Sequence, residues 1–171
     1  KKNLDYFLKK KALFLDRDGV INQDLKYVHK TKDFFWRKDI FSFLKKVISK
    51  NYYIFVITNQ SGVSRGYYNE SHIKKLHKWM NSELKKQNAL INDFFYSTEM
   101  PSEEINQKSR RKPSPLMVIE AIKKYSINKK KSFLIGDKQS DVKTAENANI
   151  RGYLFREEDL FERVKEILKE F

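Results

Sequence analysis

The stretch Phe14-Leu15-Asp16-Arg17-Asp18-Gly19-Val20-Ile21 decides how the rest of the chain is read. It opens as the end of an apolar run that starts at Ala12, and it stops abruptly at two aspartates flanking an arginine. A buried strand with acidic last residues places carboxylates at the carboxyl edge of a parallel sheet, where open α/β folds hold their ligands. Gly19 allows a tight turn that a side chain would obstruct. Two carboxylates two residues apart have plain chemical uses: one can attack, one can move a proton, and together they can hold a hard cation. The plain alternative is a strand end with solvated charges, and only the remaining sequence separates the two.

Working outward, apolar runs alternate with segments of helical spacing. Strands are predicted over Ala12–Asp16, Tyr53–Ile57, Ile91–Ser97, Ser132–Ile135 and Arg151–Phe155. Phe41, Leu44, Val47 and Ile48 mark a helix over Asp39–Lys50. Ile73, Leu76, Met80 and Leu84 mark another, capped by Asn69 or Ser71 and running to about Gln87. Pro113 suits the first turn of a third helix, ending near Tyr125. A fourth starts at Ser140 or Asp141 and ends at Ala148, and a fifth closes the chain from Leu160 to Phe171. Strands alternating with helices predict an α/β fold: a Rossmann-like parallel sheet with helices on both faces. Residues 1–11 read as a basic arm and residues 12–171 as one domain. Neither long loop is long enough to hold a separate cap.

The bulk composition narrows the classes. The chain has 171 residues, 40% of them apolar, and a net charge of +14, which permits a real core and excludes disorder. The basic excess admits phosphorylated small molecules, nucleic acid or an anionic surface as partners. Its lysines, however, run along the whole sequence rather than in one block. There is no cysteine, so disulfides and thiolate metal sites are excluded. That fits a cytoplasmic protein, and no apolar run approaches membrane-spanning length. The first residue is Lys1 rather than Met, which predicts a natural start further upstream.

Three strand ends carry reactive groups: Asp16 and Asp18; Thr58, Asn59 and Gln60; Asp137 and Lys138. Arg111 and Lys112 precede a helix. Parallel strands bring their carboxyl ends to one edge, so these groups can share one site. Magnesium prefers oxygen ligands, and Asp16, Asp137 and the main-chain carbonyl of Asp18 can supply part of its shell. With the cation and Lys112 offsetting negative charge, a phosphoryl group can approach Asp16. Attack would form an aspartyl-phosphate, with Asp18 protonating the leaving oxygen and then deprotonating water.

The ordered set DRDG, TNQSG, RKP and GDK-x-x-D resembles the haloacid dehalogenase (HAD) superfamily of aspartate-nucleophile phosphatases, and the likeness covers nearly all of Ala12–Phe155. More narrowly, DRDGVIN-x-D-x-x-YVH with TNQSGVSRGYY resembles the capless, magnesium-dependent family of heptose bisphosphate and histidinol-phosphate phosphatases. The resemblance implies Asp16 as nucleophile, Asp18 as acid/base, Thr58 and Lys112 as phosphoryl-binding groups, and Asp16, Asp18 and Asp137 as magnesium ligands. It implies substrate contacts for Asp24, Tyr27, Asn59, Gln60, Ser61, Arg111 and Lys138. The implied substrate is a small sugar phosphate such as a heptose bisphosphate, handled by a monomer. The alternatives are histidinol phosphate, the 3′-phosphate of a polynucleotide, which the charge favours, or a non-catalytic module, which the intact acidic set disfavours.

One departure stands out. Relatives carry a zinc loop with C-x-H and C-x-C, whereas this chain has Ser97, Glu99, Lys108 and Arg110 there, and no tetrahedral N/S site follows. No zinc is expected, and loop 98–110 would be held by packing or left mobile. Leu116 also replaces a glycine common in the family. His29, His72 and His77 are expected not to bind metal. Asp141 is expected to be structural, capping its helix or bracing Lys138.

Overall fold

The computed structural model describes residues 9–102, 108–156 and 159–171. Most of the basic arm lies outside this set, and its last residue, Lys11, already opens a strand. Five strands form one sheet: β1 (Lys11–Leu15), β2 (Tyr52–Asn59), β3 (Asp93–Ser97), β4 (Phe133–Gly136) and β5 (Arg151–Leu154). Their order is β3-β2-β1-β4-β5, with every pair parallel. Five α-helices accompany them: α1 (Ile40–Ser49), α2 (Glu70–Lys86), α3 (Leu116–Tyr125), α4 (Gln139–Asn147) and α5 (Leu160–Ile167).

The two-residue period of the strands sorts side chains between two cores. Leu13, Leu15, Ile54 and Val56 face one layer with α1, α2 and α5, contributed by Phe43, Val47, Leu76, Met80 and Val164. Ala12, Phe14, Phe55 and Ile57 face the other, with Met117, Val118, Ala121 and Ala145 of α3 and α4. Because both faces are covered, the central strands are apolar throughout, the pattern of a buried parallel sheet.

This winding places the site. The chain adds β2 and β3 on one side of β1, then crosses to add β4 and β5 on the other. The carboxyl ends of β1 and β4 therefore flank the switch point, where adjoining loops diverge and leave a crevice.

Several boundaries differ from expectation, three of them beside the site. Strand β2 continues through Thr58 and Asn59 because β3 keeps pairing with them, opposite Tyr96 and Ser97. Regular pairing of β1 ends at Leu15, although the Asp16 amide still donates to Ile135 at 3.1 Å. Pro113 does not open α3: it follows a cis Lys112–Pro113 peptide in a turn closed by Ser114 N–H donating to Arg111 at 2.9 Å, and helix begins at Leu116. Helix α2 is capped by Asn69, whose side chain accepts from His72 N–H at 3.3 Å while His72 Nδ1 accepts from Asn69 N–H.

Candidate active site

The carboxyl edge around β1 and β4 opens into a cleft of about 550 Å3. Asp16, Asp18, Thr58, Lys112, Asp24, Tyr27, Asn59, Gln60, Ser61, Arg111 and Lys138 all line it, together with Lys26, Tyr68 and Ser140, which the sequence reading did not single out. Asp137 sits behind this lining, in a group with Asp16 and Asp141 whose carboxylate oxygens lie within 4.8 Å of one another.

At the base, Lys112 Nζ stands 2.9 Å from Asp16 Oδ1 and 2.5 Å from Asp141 Oδ1, with all three side chains almost fully buried. Burial pushes Asp16 up to about 7 against the pull of Lys112, and the charges of Asp141 and Asp18 add to the rise. Burial opposes the charge on Lys112, but Asp16 and Asp141 outweigh it and hold the ammonium protonated. Burial also raises Asp137, whose Oδ1 is enclosed without a hydrogen-bond partner. Enclosed carboxylates with an unmet oxygen are what a hard cation satisfies, so Asp16 and Asp137 fit magnesium. Gly19, at φ +90°, makes room for this: a β-carbon there would lie 2.3 Å from Asp137 Oδ2.

Asp18 lines the cleft but is not one of the three carboxylates of the acidic group. Its carboxylate is gripped by Arg17 Nη2 at 2.9 Å, Asn22 Nδ2 at 2.9 Å and Gln60 Nε2 at 2.9 Å. These bonds occupy the Asp18 carboxylate and leave its main-chain carbonyl as its offer to a cation. Burial alone would raise the Asp18 carboxyl, but Arg17 and the three donors hold it below the ordinary range. Arg17, missed at the sequence level, is completely buried and also donates to the Val28 carbonyl at 2.7 Å. Nothing in one sequence marks an arginine between two aspartates as buried; only the fold back of residues 22–28 encloses it.

Asn59 and Gln60 are tied into the site by their amides. The Asn59 amide bonds both main-chain groups of Lys112, accepting from its N–H at 3.0 Å and donating to its carbonyl at 3.3 Å. Gln60 donates to Asp18 and, at 2.9 Å, to Thr58 Oγ1, and accepts from Tyr68 OH at 2.8 Å. Both residues thus brace neighbouring groups of the site while lining the cleft. Thr58, accepting from Gln60, keeps its hydroxyl proton as a donor.

The rim is basic and aromatic. Lys138 Nζ reaches Asp24 at 3.3 Å and lies 4.0 Å from Asp137. Tyr27 meets Tyr67 edge-on at 4.8 Å, joining the loop after β1 to the loop after β2. His29 stacks on Tyr68 at 4.5 Å, His72 caps α2, and His77 stacks on Phe94 at 4.3 Å. None of these belongs to the acidic group among the described residues. Asp141 accepts from Lys138 N–H at 3.0 Å, the expected brace, but its other oxygen holds Lys112, a role the sequence reading missed. The spacing of GDK-x-x-D carried that signal, since one helical turn brings Asp141 back under β4.

At the positions that carry zinc ligands in relatives, the donor set does not fit zinc. The Glu99 carboxylate instead accepts from Ser109 Oγ and, at 2.8 Å, from Arg110 N–H, joining the two described arms of the loop.

A five-stranded parallel sheet holding a buried Asp–Lys–Asp array at its switch point defines a Rossmann-like α/β protein with a site built for an anionic group. Residues 109–160 match the family model described as HAD-hydrolase-like. The chain is 43% identical over 144 residues to a D-glycero-α-D-manno-heptose-1,7-bisphosphate 7-phosphatase of Photorhabdus laumondii, covering 82% of this chain and 79% of that one. It is 38% identical over 163 residues to a β-anomer 7-phosphatase of Rhodopseudomonas palustris, covering 93% and 91%. A D,D-heptose 1,7-bisphosphate phosphatase from B. bronchiseptica, solved with magnesium and phosphate, superposes with a TM-score of 0.81 at 23% identity over 94% of this chain and 99% of that one. The chain belongs to the HAD family of hydrolases, among its phosphatases.

Proposed function

We propose that this chain hydrolyses the 7-phosphate of a D-glycero-D-manno-heptose 1,7-bisphosphate through an aspartyl-phosphate. The reading is carried by one observation: a buried Asp16–Lys112–Asp141 array, with Asp137 beside it, at the floor of a cleft wide enough for a sugar. The names of the relatives, matched over most of the chain, support the choice of sugar.

In this reading Lys112 and the Thr58 hydroxyl draw the phosphoryl group onto Asp16, whose carboxylate oxygen attacks phosphorus. Magnesium, held by Asp16, Asp137 and the Asp18 carbonyl, would neutralise charge on the phosphoryl oxygens. Asp18 starts ionised under the grip of Arg17, and an arriving phosphate dianion raises its proton affinity, so that it takes up a proton from solvent water before the leaving alcohol departs. It then serves as acid to the leaving alcohol and as base to the water that opens the acyl phosphate. Lys138, Arg111 and Tyr27 at the rim would contact the sugar and its second phosphate.

The test is phosphate release from both anomers of heptose 1,7-bisphosphate, histidinol phosphate and 3′-phosphorylated DNA. The heptose bisphosphates should be turned over fastest, with chelation abolishing activity and magnesium restoring it. Turnover of histidinol phosphate or DNA, with neither heptose anomer consumed, would overturn the assignment.

A further inference from the structure

We propose that Glu99 is a positioning residue for Arg111, aiming it into the cleft by a hydrogen-bonded knot among residues 99 and 109–111. The inference rests on the proposed sugar-phosphate reading and adds to it the means by which this chain orders its specificity loop.

The knot is explicit. Ser109 Oγ donates to one carboxylate oxygen of Glu99, and Arg110 N–H donates to the other at 2.8 Å. The same Ser109 oxygen accepts from Arg111 N–H at 3.2 Å, which pins the main chain of Arg111. The Arg111 guanidinium then returns to Glu99, donating from Nη1 to its carbonyl at 2.9 Å. Glu99 thus holds Arg111 at both ends, through its carboxylate by way of Ser109 and directly through its carbonyl. The knot is anchored outside the loop as well. Ser64 Oγ donates to the Thr98 carbonyl at 2.7 Å, and Arg110 pairs with Glu120 of α3 at 2.7 Å.

The knot has a function to perform because Arg111 lines the cleft, while Arg65, lying over the ring of the lining residue Tyr27 at 5.9 Å, disfavours the approach of a second guanidinium by its like charge. Left to itself, Arg111 would swing to solvent. Held by Glu99, it keeps donors facing a site for an anion apart from the phosphoryl group that reacts at Asp16. A carboxylate with two donors from one short segment orders that segment much as a cation would, since charge-assisted hydrogen bonds are the strong ones. Removing the carboxylate leaves the Arg111 side chain in place but loosely aimed. The expected loss is in binding of the substrate's distal anion, with the chemical step spared.

The experiment compares Glu99→Ala, Arg111→Ala and the double variant on heptose 1,7-bisphosphate and on a heptose 7-monophosphate. Glu99→Ala should raise KM for the bisphosphate about tenfold, with kcat within about twofold and little change for the monophosphate. The double variant should be no worse than Arg111→Ala alone. Faster deuterium uptake across 97–102 and 108–112 in Glu99→Ala, with Tm within a few degrees of wild type, would accompany this. Unchanged KM with unchanged exchange overturns the proposal, as does an equal loss of kcat on both sugars. If wild type turns over neither sugar, the functional reading falls. The knot is then decided by exchange alone: unchanged uptake in Glu99→Ala refutes it and faster uptake supports it.

Discussion

At the scale of single residues, the site is governed by how charge is buried. Asp16 loses water on every side, and burial raises it to about 7, so its ionised form costs stability as pH climbs from the unfolded carboxyl range through 7. Asp16→Asn removes both the nucleophile and that cost, while Lys112 keeps Asp141. We expect phosphate release to fall on the order of 10^4-fold or more, with a Tm at pH 8 equal to or above wild type by calorimetry. A lower Tm would mean that the Asp16–Lys112 pair is net stabilising. Arg17 is the opposite case, a fully buried cation matched by Asp18 and the Val28 carbonyl. Arg17→Met strands the Asp18 carboxylate, and urea unfolding should show a loss of about 3–5 kcal/mol. A loss below about 1 kcal/mol would show that Asn22 and Gln60 alone satisfy Asp18.

At the scale of elements, the junction of β4 and α4 holds the site together. Gly136 ends β4, and Asp141 sits one turn into α4, close enough that a β-carbon at 136 would lie 2.2 Å from the Asp141 side chain. This contact is what lets one carboxylate cap α4 at Lys138 and grip Lys112 as well. Gly136→Ala should push Asp141 outward, at a cost of about 1–3 kcal/mol, and lower kcat by roughly tenfold or more as Lys112 loses a partner. Thermal melts and steady-state kinetics check both halves. Wild-type kcat in this variant would show that Lys112 is set by Asn59 and Asp16 alone. The cap Asn69–His72 is a different kind of junction, local and readable: it needed only the sequence N-E-S-H before an apolar stripe.

At the scale of the whole molecule, packing sets the acid limit of stability. His77 lies between α2 and β3, stacked on Phe94, and burial together with the nearby Arg17 charge depresses it to about 3. The folded protein therefore keeps His77 neutral where the unfolded chain protonates it below its ordinary value of 6.5. Stability is full above about 6.5 and falls as pH drops from there towards 3, by up to about 1.4 kcal/mol per unit. His77→Phe should flatten the urea midpoint between pH 6.5 and 4.5; a profile identical to wild type would assign the acid loss to other groups. No described helix is long and apolar enough to cross a membrane. The net charge of +14 leaves the acidic floor of the cleft surrounded by lysine and arginine at its rim, an arrangement that draws in anions before the chemistry begins.

By itself the sequence determined the sheet, the two helical layers and the edge on which chemistry gathers. Each follows from a period in the residues: two for strands, 3.6 for helices, and acidic or amide residues where an apolar run stops. It also brought the cleft residues into view, because strand ends on one edge are neighbours whatever the details. Only the tertiary structure decided what each group does there. Asn59 and Gln60 read as substrate contacts, and the fold added amide bonds from them to Lys112, Asp18 and Thr58. Asp18 read as an acid/base and a metal ligand, and the fold added Arg17 as the group that holds its carboxylate. Glu99 read as a missing zinc ligand until its carboxylate was found closing the loop. In each case the deciding partner lies in another segment or depends on a rotamer that packing selects. A linear pattern carries the identity of a donor or acceptor but not the direction in which it points.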